Sequence, residues 1–279
     1  QNNLKQLALS LHNYHDVHQS FPYNYGGNQQ YNYTGTGRSW LQGILPFIEQ
    51  KSLYDRINFS LPVGQGTVGG ADYNVNTEVS YTVVSAFVCP SDVNEQGRMG
   101  SRANVNDTRA INNYKAVAGS NWAWGDAICR HTYPKGRWPN DGNGLDRGNG
   151  IICRNSDNQR GNLTRFADIT DGTANTFAIG EAVPRWCTHT WWYWFNGATA
   201  TCGIPLNYKS IAIQTNPATV TLETQWGDWP NNYSFMSRHP GGANFGICDG
   251  AVRFISETID LATYRFLANM GDTETVQVP

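Results

Sequence analysis

Charge is scarce in these 279 residues: Asp, Glu, Lys and Arg make up 15%, against about a quarter in an ordinary soluble domain. The 20 basic and 22 acidic side chains nearly cancel, leaving a formal net charge of −2. A chain so balanced lacks the basic patch that neutralises phosphates, so nucleic acid is not an expected partner. Lysine is rarer still, five residues among the 20 basic ones. No window approaches the about 18 consecutive apolar residues of a membrane span, so membrane contact is expected only through a segment preceding this sequence. No Cys-x-x-Cys pair occurs, which argues against a zinc knuckle. A Gly-x-Ser-x-Gly elbow, a Ser-His-Asp order and a phosphate-cradling loop are absent too, so no enzyme is expected.

What fills the space is neutral and turn-forming: 29 Gly and an equal number of Asn. Aromatics reach 13% with ten Trp, the opposite of a disordered composition. Six cysteines, an even count beside low Lys and high Asn, Gly and Trp, suggest an exported protein with up to three disulfides. Their connectivity is open from sequence alone. The opening Gln1-Asn-Asn, without Met, is expected to follow a segment removed by processing or trimming.

Residues 2–18 form the clearest helix, with Leu4, Leu7, Ala8, Leu11 and Tyr14 on one stripe and Phe21-Pro22 beyond its end. No capping residue precedes it, so it is expected to be part of a longer helix. Ser39 caps a second helix over 40–57, kinked at Pro46. Residues 78–89 alternate like a strand running into the turn Cys89-Pro-Ser-Asp92. Strands are also expected at 175–181, at 190–195 (aromatic on both faces, hence covered on both) and near Ile211. Asp249-Gly250 lies between two alternating runs and predicts a two-residue type I′ hairpin. Asp260 caps a helix over 261–270. These elements make an α+β domain, helices on one side of an antiparallel sheet.

Four stretches carry a family resemblance: residues 1–15, Phe87-Val-Cys-Pro-Ser-Asp92, residues 166–176 through Gly180-Glu181, and residues 238–250, in which nine residues separate His239 from Asp249-Gly250. Together they resemble the planctomycete-type pseudopilin family, the domain of unknown function 1559, with its His-x9-Asp-Gly signature. The resemblance implies a type IV pilin-like fold in a single head domain over residues 1–279. Residues 1–20 are then the C-terminal half of a pilin helix, packed on an antiparallel sheet, and about 98–160 and 185–235 are loop-rich variable insertions. It also implies a structural or assembly role at the bacterial cell envelope, outside the cytoplasm. Other pilin-like subunits would be met through the N-terminal helix.

His239 and Asp249 can be read as a catalytic or metal pair, but turn geometry and Gly250 explain them structurally. Asp168, Asp171 and Glu181 can be read as acid/base carboxylates of a glycosidase, against Asp168 capping a turn and Asp171-Gly172 making the next. Asp141, Asn143 and Asp146 place oxygens at spacings that suit calcium, the one cofactor suggested, without the bidentate Glu of an EF-hand. Trp122, Trp124, Trp138, Trp226 and Trp229 lie in loop-like segments and suit sugar rings, which makes a secreted glycan-binding module the alternative function. Cys89–Cys248, Cys129–Cys153 and Cys187–Cys202 are the expected disulfides.

Overall fold

The computed structural model describes all residues except 27–36, 64–72, 93–97, 103–104, 122–144, 147, 156–162, 210, 217, 220–226, 272–273 and 275. Helix α1 (Asn2–His18) buries Leu4, Leu7, Ala8 and Leu11, the stripe expected of it. It closes before Phe21-Pro22, at Gln19, whose left-handed conformation (φ 58°) lets its N–H reach the His15 carbonyl.

The second expected helix is three pieces: α2 (Trp40–Ile44), capped by Ser39, a 3-10 turn at Leu45–Ile48 holding Pro46, and α3 (Lys51–Tyr54). Pro46 breaks the ladder as expected, and Glu49 (φ 62°) ends the turn. The strand expected at 78–89 is instead α4 (Val75–Ser80) and a 3-10 turn at Ser85–Phe87. A capping box decides it: Asn74 accepts from the N–H groups of Asn76 and Thr77, while Thr77 answers the Asn74 N–H.

Strands β1 (Arg98–Arg102) and β2 (Val105–Ala110) pair as a separate antiparallel hairpin. The main sheet comprises β3 (Tyr114–Val117), β4 (Phe177–Glu181), β5 (Thr199–Ala200), β6 (Gly242–Ile247) and β7 (Val252–Ser256), in the order β5-β3-β4-β6-β7. All pairs are antiparallel except β3 with β5. Both segments expected as insertions therefore supply sheet strands. The expected strand at 190–195 is a single bridge, Ile111 to Trp191, followed by a 3-10 turn at Phe195–Gly197. Gly197 lets the chain fold back, since a Cβ there would lie 2.8 Å from the Trp191 carbonyl oxygen. The aromatic run is buried all the same. The region near Ile211 is a helix, α5 (Ile211–Thr215).

The sheet is covered on both faces, not one. Alternate residues of β6 divide the work: Ala243, Phe245 and Ile247 face a core with Phe177, Phe235 and Leu267, and with Tyr264 of α7 (Leu261–Phe266). Gly246 lies under α1, where a Cβ would come within 3.5 Å of the Ala8 side chain. Leu4, Leu7 and Leu11 join Ile179, Trp40 and Ile44 in the larger core on that side.

Residues 248–250 turn differently from expectation. Gly250 alone has positive φ (86°), and its N–H bonds the Ile247 carbonyl while Ile247 bonds Ala251. This is a three-residue loop with glycine in the left-handed position. The Gly250 carbonyl accepts the Lys5 ammonium at 2.6 Å, tying the turn to α1.

Cys89, Cys187, Cys202 and Cys248 form no disulfide, which removes two expected pairs. Cys89 sits beside the end of β4, whereas Cys248 follows the last residue of β6. About 13 Å of strand separates those levels, beyond the about 7 Å that a disulfide spans. Cys187 instead faces Lys115, and Cys202 adjoins Tyr264. Cys129 of the third pair lies outside the described residues.

Lys115 is fully buried on β3, its ammonium donating to the Asn232 carbonyl (2.8 Å) and the Cys187 sulfur (3.1 Å). Burial lowers its pKa from 10.5, with the neighbouring thiol opposing. Between that lowered pKa and 10.5 the unfolded chain binds the extra proton, so this residue's contribution to stability rises with pH. Buried Tyr233, pushed up to about 12, and the buried thiols act in the opposite direction above pH 9. In urea titrations the stability of wild type relative to Lys115→Met is therefore expected to climb as pH approaches 10.5. A flat difference contradicts the burial argument. Leu7→Ala on the docked face of α1 is expected to cost about 2–5 kcal/mol. Val17→Ala, 65% exposed, should stay within about 0.5 kcal/mol.

Candidate functional site

Three of the motif segments meet at the N-terminal end of α1. The 3-10 turn at Ser85–Phe87 delivers Cys89-Pro90-Ser91-Asp92, and Asn113 fixes that loop. Its side-chain oxygen accepts the Cys89 N–H (2.9 Å), and its amide donates to Asp92 (2.8 Å) and the Ala182 carbonyl (3.1 Å). Asn3 of α1 donates to the Ser85 and Val88 carbonyls, holding the helix start against the same turn. Glu181, the last residue of β4, is buried and accepts the Asn244 backbone N–H (2.8 Å) and side-chain amide (3.2 Å). The loop before β6 brings His239, whose Nε2 is 3.4 Å from Glu181 Oε1. Beside it, Arg238 Nε lies 2.8 Å from Asp92 Oδ1, an ion pair out of line for a hydrogen bond.

Cys89 Sγ, a Glu181 oxygen and a His239 ring nitrogen all lie within 4.8 Å of one another. Among the described residues these are the His, Cys and acidic side chains placed to share a metal ion. Tyr114 on β3 is within hydrogen-bonding reach of Cys89 and Asn3, and burial pushes its phenol pKa up, with Cys89 and Glu181 adding to the shift. Gln1, Asn2, Asn3, Ser91, Tyr114 and His239 line an adjoining cavity of about 340 Å³ that opens to solvent.

The pairing of His239 with Asp249 is not formed. They stand at opposite ends of β6, His239 against Glu181 and exposed Asp249 accepting the Ala251 N–H (2.8 Å). Nor do the acidic residues share a cleft. Asp168 caps its turn by accepting the Arg165 N–H (2.8 Å), Asp171-Gly172 follows with Gly172 at φ 93°, and β4 separates them from Glu181.

Both oxygens of Asp146 receive the guanidinium of Arg154 at 2.7 Å in a fully buried pair. Asp141 and Asn143 lie outside the described residues, as do Trp122, Trp124, Trp138 and Trp226. Trp229 is half-buried, in α6 (Trp229–Tyr233), stacked on Tyr233 at 6.3 Å.

A second cavity, about 410 Å³, opens between α1 and α2, with Tyr14, Tyr23, Tyr25, Phe47, Tyr54 and Phe59 along its walls. Arg38 lines it too. The guanidinium donates to the carbonyls of Phe59 and Leu61 and packs over the Phe59 ring, while its Nε is buried without a partner.

A family model described as SBP_bac_10, protein of unknown function (DUF1559), matches residues 1–262. The chain belongs to this DUF1559 family. No curated protein and no solved structure matches it. In this DUF1559 protein Cys89, Asp92, Glu181 and His239 come together, while Asp249-Gly250 forms the turn under α1. Asn113, Tyr114 and Asn244 were not singled out from sequence. The first two fall in a supposed insertion, and Asn244 reads as an ordinary strand residue.

Proposed function

We propose that this chain is the envelope-exposed head of a pilin-like subunit with a structural or assembly role. The observation that supports the reading is α1 laid along an antiparallel sheet, its stripe buried against β6 and β4 and its other side exposing Leu9 and Val17. Such a helix is rigidly attached to the head and still offers apolar side chains to a neighbour. In this reading α1 continues a longer N-terminal helix that anchors the subunit, and other pilin-like subunits are its partners. The full-length gene product, tagged at its C-terminus in the native bacterium, is expected in the envelope or sheared surface fraction. Leu9→Asp with Val17→Asp should deplete it there several-fold without lowering the melting temperature. Recovery of the wild-type product as a free cytoplasmic protein would overturn the reading.

The aromatic cavity supports a second reading, glycan binding by this same head. Tyrosine faces suit sugar rings, and the Arg38 side chain lines the same wall. In this cavity the rings include Tyr14, Tyr23 and Tyr54, none of them among the tryptophans first considered. Titration with a panel of oligosaccharides is expected to give millimolar or tighter binding that Tyr54→Ala weakens at least fivefold. Absence of heat at millimolar ligand rejects it.

A further inference from the structure

We propose that Cys89, Glu181 and His239 bind a single divalent ion of the zinc class, leaving a coordination position open to the adjoining cavity. The donor set is the first argument. A thiolate, an imidazole and a carboxylate together suit a borderline ion such as Zn²⁺, whereas Ca²⁺ and Mg²⁺ take oxygen almost exclusively.

Geometry is the second. With metal–ligand bonds of about 2.0–2.3 Å, tetrahedral neighbours sit about 3.3–3.7 Å apart. The His239 to Glu181 distance is already 3.4 Å, and all three donors fall within 4.8 Å, so closure takes side-chain shifts of about 1 Å. The ligands come from three separate segments, each independently anchored. Asn113 holds the Cys89 loop, β4 holds Glu181, and Ser237 accepts the His239 N–H at 3.2 Å.

Charge is the third. A thiolate and a carboxylate neutralise a dication, so the partly buried cluster becomes neutral on binding. Arg238 beside it already has Asp92 as its counter-ion. Outer contacts of the expected kind are in place: Asn244 donates twice to Glu181, and the Tyr114 hydroxyl reaches Cys89. Three protein ligands with a solvent-facing gap is the pattern of a zinc ion that takes an exchangeable fourth ligand rather than a closed structural site. The cavity of about 340 Å³, bordered by Gln1, Asn3, Ser91 and Tyr114, supplies that gap.

Metal uptake by the purified chain tests this independently of the envelope reading. After chelator and reductant treatment, Co²⁺ alone is titrated and followed by absorbance. One ion per chain is expected, with a thiolate-to-cobalt charge-transfer band that Zn²⁺ abolishes by displacement. Cys89→Ser should remove the band, His239→Gln should weaken uptake at least about tenfold, and Asn244→Ala should weaken it about 10–100-fold. Cys248→Ala, at the far end of β6, should leave the band unchanged. Circular dichroism checks each variant's fold, and His239→Gln carries the test if Cys89→Ser unfolds. No band at micromolar Co²⁺, a band that survives Cys89→Ser, or His239→Gln taking up Co²⁺ as tightly as wild type, overturns the proposal.

Discussion

The close approach of α1 to β6 is the contact on which the rest depends. Gly246 faces Ala8 across this contact, and Ile179 of β4 joins Leu4, Leu7 and Leu11 in the core behind it. Leu4, Leu7 and Leu11 are removed from water there. Each such side chain contributes about 1.5–3 kcal/mol. Polar ties fix the position along the helix: Lys5 on the Gly250 carbonyl, Gln1 on Asn244, and Asn3 on the Ser85 and Val88 carbonyls.

That docking also organises the cluster around Glu181. Asn244 shares an edge with both, accepting from Gln1 through its side-chain oxygen and donating to Glu181 through its amide. The helix start, the centre of the sheet and the Cys89 loop are thus linked through amide and carboxylate contacts. Elsewhere the interior is unusually polar. Arg154 with Asp146, and Lys115 with Cys187 and Asn232, occupy sites with no access to solvent. Removing one member of the Arg154–Asp146 pair leaves a buried charge unmatched and costs about 3–5 kcal/mol.

Much of the frame was legible in the chain. The stripe of α1, the break at Pro46 and the β6–β7 hairpin all follow from periodicity and turn chemistry. Capping defeated the strand expected at 78–89, because a reciprocal Asn74–Thr77 box outweighs the β preference of alternating Val and Tyr. Strands β3 and β5 were invisible for another reason. They are four and two residues long, too short for a period, and exist because β4 supplies an edge to β3 and β3 supplies one to β5. Lys115, Asn112 and Asn113 are polar and buried, since tertiary partners satisfy them. Cys89, Glu181 and His239 were each visible, Cys89 as half of a disulfide. Their meeting was not, because three distant segments converge only once the sheet has closed.

The nine residues between His239 and Asp249 acquire a mechanical meaning from this arrangement. They cover the full run of β6, with an approach at one end and a bend at the other, and strand side chains alternate strictly. One extra residue inside that run would exchange the two faces, sending Asn244 toward the aromatic layer and Phe245 toward α1. The interval works as a ruler with even and odd marks, keeping an imidazole at one rim and a left-handed glycine at the other in step.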